Sequence, residues 1–89
     1  MPEQQNIEYK SSWHDDYLKW VCGFANAQGG QIFIGKNNDG KVVGLSDYQQ
    51  LMEEIPNKMR DLMGITGEIN LRKGNGKYFI EIASIAKGS

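Results

Sequence analysis

Three groups of residues have types and spacings that could do chemistry. Residues 30–36 read Gly-Gln-Ile-Phe-Ile-Gly-Lys, the G-x-x-x-x-G-K spacing of a phosphate-cradling loop. The next residue, Asn37, lacks the hydroxyl that would hold magnesium, and the residues between the glycines are apolar and strand-like. A phosphate loop must be free to aim backbone N–H groups at its ligand, so the segment reads as a strand and no ATP site is expected in it. The second group is acidic. Glu3 and Glu8 lie five apart, an odd offset that sends two strand side chains to opposite faces. They could share magnesium or manganese only if the chain bends across Gln4-Gln5-Asn6, and two carboxylates are few for a metal that wants clustered oxygen ligands. The residues alone favour ordinary surface acids. The third group is basic: Lys36 and Lys41 flank Asn37-Asn38-Asp39-Gly40, and Lys73 and Lys77 flank Gly74-Asn75-Gly76. Two lysine-flanked hairpin tips could grip a phosphate backbone, with Asn37 and Asn38 adding hydrogen bonds. Lysines beside turns serve solubility equally well.

Other chemistries find little support. His14, Cys22 and the nearby acids have no zinc-site spacing, so no metal site is assigned to them. A solitary histidine makes a Ser-His-Asp or Cys-His arrangement improbable. Met52, Met59 and Met63 fall at helical spacing and read as core filler.

The chain that must position these residues has 89 residues, room for one domain with a small core. It is 39% hydrophobic and 24% charged, which argues against wholesale disorder. A net charge of −1 excludes coating of nucleic acid by bulk charge, because such binding scales with the phosphates neutralised. The charge is uneven, however. Glu3, Glu8, Asp15 and Asp16 outnumber Lys10 and Lys19 near the N-terminus, whereas Arg72, Lys73, Lys77 and Lys87 face only Glu81 near the C-terminus. One cysteine excludes an internal disulfide framework and fits a reducing compartment. No apolar run approaches the ~20 residues of a membrane span, and the polar start carries no signal-peptide pattern. A cytoplasmic location and no membrane partner are expected.

Residues 7–10 alternate apolar and charged as a short strand does. Ser12 and Asp15 form a capping-box-like start, and Tyr17, Trp20, Val21, Phe24 and Ala25 make one helical stripe. A helix is therefore predicted over 13–28, ended by Gly29-Gly30. Trp13 and Trp20, seven apart on that helix, offer an apolar face for a partner. Residues 31–36 predict a strand covered on both faces, and 41–43 its antiparallel return across Asp39-Gly40. Ser46 or Asp47 caps a second helix with the stripe Leu51, Ile55, Met59, Leu62 and Met63, disturbed at Pro56. Ile69 and Leu71, then Tyr78, Ile80 and Ile82, alternate as two strands joined by the linker 73–77. The expected fold is α+β: a small two-layer sandwich of order β-α-β-β-α-β-β, two helices packed on a mixed sheet. Such a sheet has edges, and an exposed edge admits a homodimer.

Taken together, these residues resemble a known family. Ile-Glu-Tyr-Lys-Ser-Ser at 7–12, Val-Cys-Gly-Phe-Ala-Asn-Ala-Gln-Gly-Gly at 21–30, Ile-Phe-Ile-Gly at 32–35 and Gly-Lys-Val-Val-Gly at 40–44 look like the Schlafen-type AlbA domain. The resemblance is carried by residues 3–44; beyond 45 only the order of elements agrees. It implies one Alba-like domain over 1–89, short of the family's C-terminal strands. It also implies nucleic-acid binding, DNA or RNA, in a transcriptional regulator or a RecG-helicase-related protein. In animal Schlafen proteins it implies RNA cleavage by three carboxylates around a divalent metal. Two of those acids match Glu3 and Glu8, while the third position carries Asn38. An amide ligates a metal but adds no negative charge.

The first expectation is thus a non-catalytic module in which Lys10, Lys36, Lys41, Lys73 and Lys77 contact phosphates, with Ser11, Asn37 and Asn38 as polar contacts. The second is a degenerate metal-dependent ribonuclease built on Glu3 and Glu8. The third is a protein-interaction or dimerisation module.

Overall fold

The computed structural model describes residues 7–26 and 29–87. Strand β1 (Ile7–Lys10) leads through a 3-10 turn at Asp15–Tyr17 into helix α1 (Leu18–Asn26). Strand β2 (Gln31–Ile34) follows, then helix α2 (Tyr48–Lys58), which runs on into a π turn at Met59–Met63. Strands β3 (Ile65–Gly74) and β4 (Lys77–Lys87) complete one sheet of order β1-β2-β4-β3. The expected α+β architecture, two helices on a mixed sheet, is what the chain forms.

Strand pairing follows from the connections. β1 and β2 are parallel, and parallel neighbours need a crossover, which α1 supplies. β4 then inserts antiparallel beside β2 and pairs β3 on its other side. In this register Ile32 faces Ile82 and Ile34 faces Ile80, all four with no exposed surface. Leu18, Val21 and Phe24 of α1 and Leu51 and Ile55 of α2 close over them, with Met59 from the π turn, to make the core. The alternate residues, Tyr9, Phe33, Phe79 and Glu81, belong to the opposite face.

Several elements differ from expectation, each for a local reason. The helix predicted over 13–28 begins later, because His14 is extended at φ −135°, ψ 143°. Asp15 is taken up by the Trp13 indole (2.9 Å) and the Lys58 ammonium (2.9 Å), so no Ser12 capping box forms. Trp13 therefore precedes the helix and packs against the core, while Trp20 stays 45% exposed, and the two share no helical face. The return strand predicted at 41–43 is a single bridge, Lys36 to Val42. The Asn37 side-chain oxygen accepts the N–H groups of Asp39 and Lys41, and the Gly35 carbonyl accepts those of Val43 and Gly44. Local partners thus take the bonds a ladder would have used.

The second helix keeps Leu51, Ile55 and Met59 buried but leaves Leu62 67% exposed. Pro56 offers no N–H to the preceding turn, and the ladder widens to a π turn shortly after it. The wider turn rotates Leu62 off the stripe. Gly64, at φ 64°, ends the segment as predicted. The linker read at 73–77 narrows to Asn75-Gly76, since Gly74 still pairs with Lys77. Both turn residues have positive φ (52° and 74°), as a tight hairpin turn of matching twist requires. No helix among the described residues is long and apolar enough to cross a membrane.

Candidate nucleic-acid interface

The C-terminal ends of β1, β2 and β3 and the start of β4 lie at one end of the sheet, as the registers dictate. The loop after β2 folds back onto that end. The N–H groups of Gly35 and Lys36 both donate to the Lys10 carbonyl, at 2.7 and 3.1 Å. Further along, the Leu45 N–H donates to the Tyr78 carbonyl at 2.9 Å. Gly44 lies beside the Lys77 side chain and Gly74 beside Val42. The two turns that sequence could only place separately are therefore packed against one another, and Lys36, Lys41, Lys73 and Lys77 are borne on the same end.

These lysines ring the end of the sheet. Lys36 lies over the face opposite the helices: its Nζ stands 4.4 Å from the Phe33 ring centroid, 4.5 Å from Phe79 and 5.8 Å from Tyr9. Tyr9 and Phe33 stack on adjacent strands with centroids 5.6 Å apart. Aromatic faces attract a cation, so this cluster holds the ammonium in place. Lys77 belongs to the same face by alternation. Lys73 belongs to the helix side, with its Nζ 5.4 Å from the Tyr78 ring, which in turn stacks on Tyr48. Lys10 is also on the helix side, over Tyr17 and Trp20. Lys41, Ser11 and Asn38 are exposed. Asn37 is half-buried and its side-chain oxygen is spent on the turn, so it shapes the loop.

The acids are placed differently. Glu8 faces the helix side opposite Ile32 and pairs with Lys10 at 3.6 Å. Glu3 lies outside the described residues. Among the described residues no three His, Cys, Asp or Glu side chains gather as a metal site. The segment with phosphate-loop spacing contains β2, an internal strand paired on both edges, so its backbone N–H groups are engaged in the sheet.

Sequence reasoning missed the polar centre of the open face. Glu81 is 9% exposed and accepts hydrogen bonds from Arg72 Nε (2.7 Å), Gln31 Nε2 (3.0 Å) and Asn70 Nδ2 (3.5 Å). The network spans three strands, and strand order is a long-range fact that alternation cannot supply. The aromatic seat of Lys36 was hidden for the same reason.

The comparisons agree with this architecture. The solution NMR structure of the N-terminal domain of a RecG-related protein from Nitrosomonas europaea superposes with a TM-score of 0.65 at 19% identity. The match covers 91% of this chain and 61% of that one, so this chain spans less than two thirds of the solved domain. No curated protein matches. The family model described as Schlafen, AlbA_2 matches residues 3–83, and the chain belongs to that family.

Proposed function

We propose that this domain binds the phosphate backbone of DNA or RNA through the lysine-ringed end of its sheet, as a non-catalytic module of a transcriptional regulator or helicase-related protein. The observation that carries the reading is the Leu45–Tyr78 hydrogen bond, which docks the loop bearing Lys36 and Lys41 onto the hairpin bearing Lys73 and Lys77. Lysines contact phosphates as point charges, which gives affinity and register without reading bases. Lys36 is held by its aromatic neighbours, so less freedom is lost when it meets a phosphate. Lys41, Asn38 and Ser11 are exposed beside it and supply further contacts. Membership of the AlbA_2 family and the fold shared with a RecG-related domain support the same reading. Cys22 is a free thiol, which suits a reducing, cytoplasmic setting.

Titration of the isotopically labelled domain with a short duplex and with a single-stranded RNA tests the site. Amide shifts confined to residues 10–11, 36–45 and 73–78 are expected. Shifts centred on α1 or on the far end of the sheet would place the interface elsewhere.

A further inference from the structure

We propose that β3 is the interface of a homodimer: two copies join edge to edge, antiparallel, about a twofold axis at Asn70, making one continuous eight-stranded sheet. β3 is the last strand of the sheet and pairs only with β4, so the backbone N–H and C=O groups along its outer edge have no strand beside them among the described residues. At ten residues it is a long edge, and a long unpaired edge is a template for another strand.

The charges on that edge select the partner and the register. Glu68 and Arg72 lie two residues either side of Asn70. In an antiparallel pair centred on Asn70, Glu68 of each copy stands opposite Arg72 of the other, and Ile69 stands opposite Leu71. Opposite charges directly across a ladder are favourable and like charges unfavourable. Moving the centre to Ile69 or Leu71 leaves both charges facing uncharged residues. Leu71 is 39% exposed in the single chain and gains an apolar neighbour in the pair. Glu68 makes no side-chain bond among the described residues, so it is free to pair. Arg72 spends its Nε on Glu81 and keeps a half-exposed side chain whose terminal nitrogens can reach a second carboxylate. The bulge between Thr66 and Glu68 limits the ladder to the central residues, so the dimer is concentration-dependent.

Sedimentation velocity from about 10 µM to about 1 mM reads the assembly, in the weak range expected of so small an interface. The chain should shift from monomer to dimer, and Glu68→Lys, which sets Lys against Arg72 at both symmetric positions, should raise the dissociation constant about tenfold. The register is tested in a Cys22→Ser background. Asn70→Cys places two thiols across the axis, within reach of a disulfide, and should cross-link under mild oxidation. Glu68→Cys places its two thiols about 14 Å apart along the strands and should not. Circular dichroism of each variant reports folding independently of assembly. A monomer at all concentrations, or equal cross-linking at 68 and 70, would overturn the proposal.

Discussion

Gly44 lies directly against the stem of Lys77: a Cβ at Gly44 would stand 3.1 Å from both Cβ and Cδ of that lysine. Beside the Leu45–Tyr78 bond, this contact seals the loop after β2 onto the β3–β4 hairpin. Gly44 also sits at φ 91°, which L residues rarely adopt. Gly44→Ala should therefore cost about 1–2 kcal/mol in urea unfolding, and should weaken nucleic-acid binding beyond what the lost stability explains. Unchanged affinity in the folded variant would mean that loop docking does not organise the interface.

The Glu81 network makes a second prediction. Glu81→Ala removes the shared acceptor of Arg72, Gln31 and Asn70. With Gln31 and Asn70 only half-exposed, the loss should be about 2 kcal/mol, or a fall of about 10 °C in Tm for a domain of this size. Thermal melts followed by circular dichroism check it.

Two leucine-like positions on the second helix separate what the sequence pattern implied from what the fold does. Ile55 is fully buried and Leu62 is 67% exposed. Ile55→Ala should cost about 2–5 kcal/mol, while Leu62→Ala should stay within about 0.5 kcal/mol of the parent. Equal effects would contradict the π turn that carries Leu62 outward.

One exposed ion pair should make a small contribution to acid stability. The Lys58 ammonium, then the Trp13 indole, donate to Asp15 and hold its carboxyl below the ordinary 3.8, while the same bond raises Lys58 above 10.5. A depressed carboxyl contributes stability that is present above its unfolded value and lost as pH falls through the folded one. A raised lysine contributes stability lost only as pH climbs above about 10.5. Both contributions are in place at neutral pH. Both groups are solvated, so the effect is small. Asp15→Asn should flatten the dependence of Tm on pH below about 4 and leave the slope between pH 6 and 8 unchanged.

Much of the fold was legible because it is local. The alternation of Ile80 and Ile82, the existence of a hairpin between β3 and β4 and the stop at Gly64 are short-range features with short-range causes. Misreadings arose where a side chain or a missing donor redirected the backbone. Asn37 closed a loop in place of a strand, and Pro56 preceded a π turn that rotated Leu62 away from the core. The lysines of the candidate site were legible as residues flanking turns. Their gathering at one end was not, because it depends on β4 lying beside β2 and on the Leu45–Tyr78 bond. The aromatic seat of Lys36 joins residues from three strands and was hidden for the same reason.

The lysine-ringed end of the sheet should bind a phosphate backbone. Fluorescence anisotropy with labelled duplex DNA and single-stranded RNA, at two salt concentrations, tests it most directly when the parent is compared with Lys36→Glu/Lys41→Glu. Affinity of the parent should fall as salt rises, and the double reversal should weaken binding across sequences and flatten the salt slope. No binding to either ligand at low salt, or binding untouched by the reversal, would contradict it.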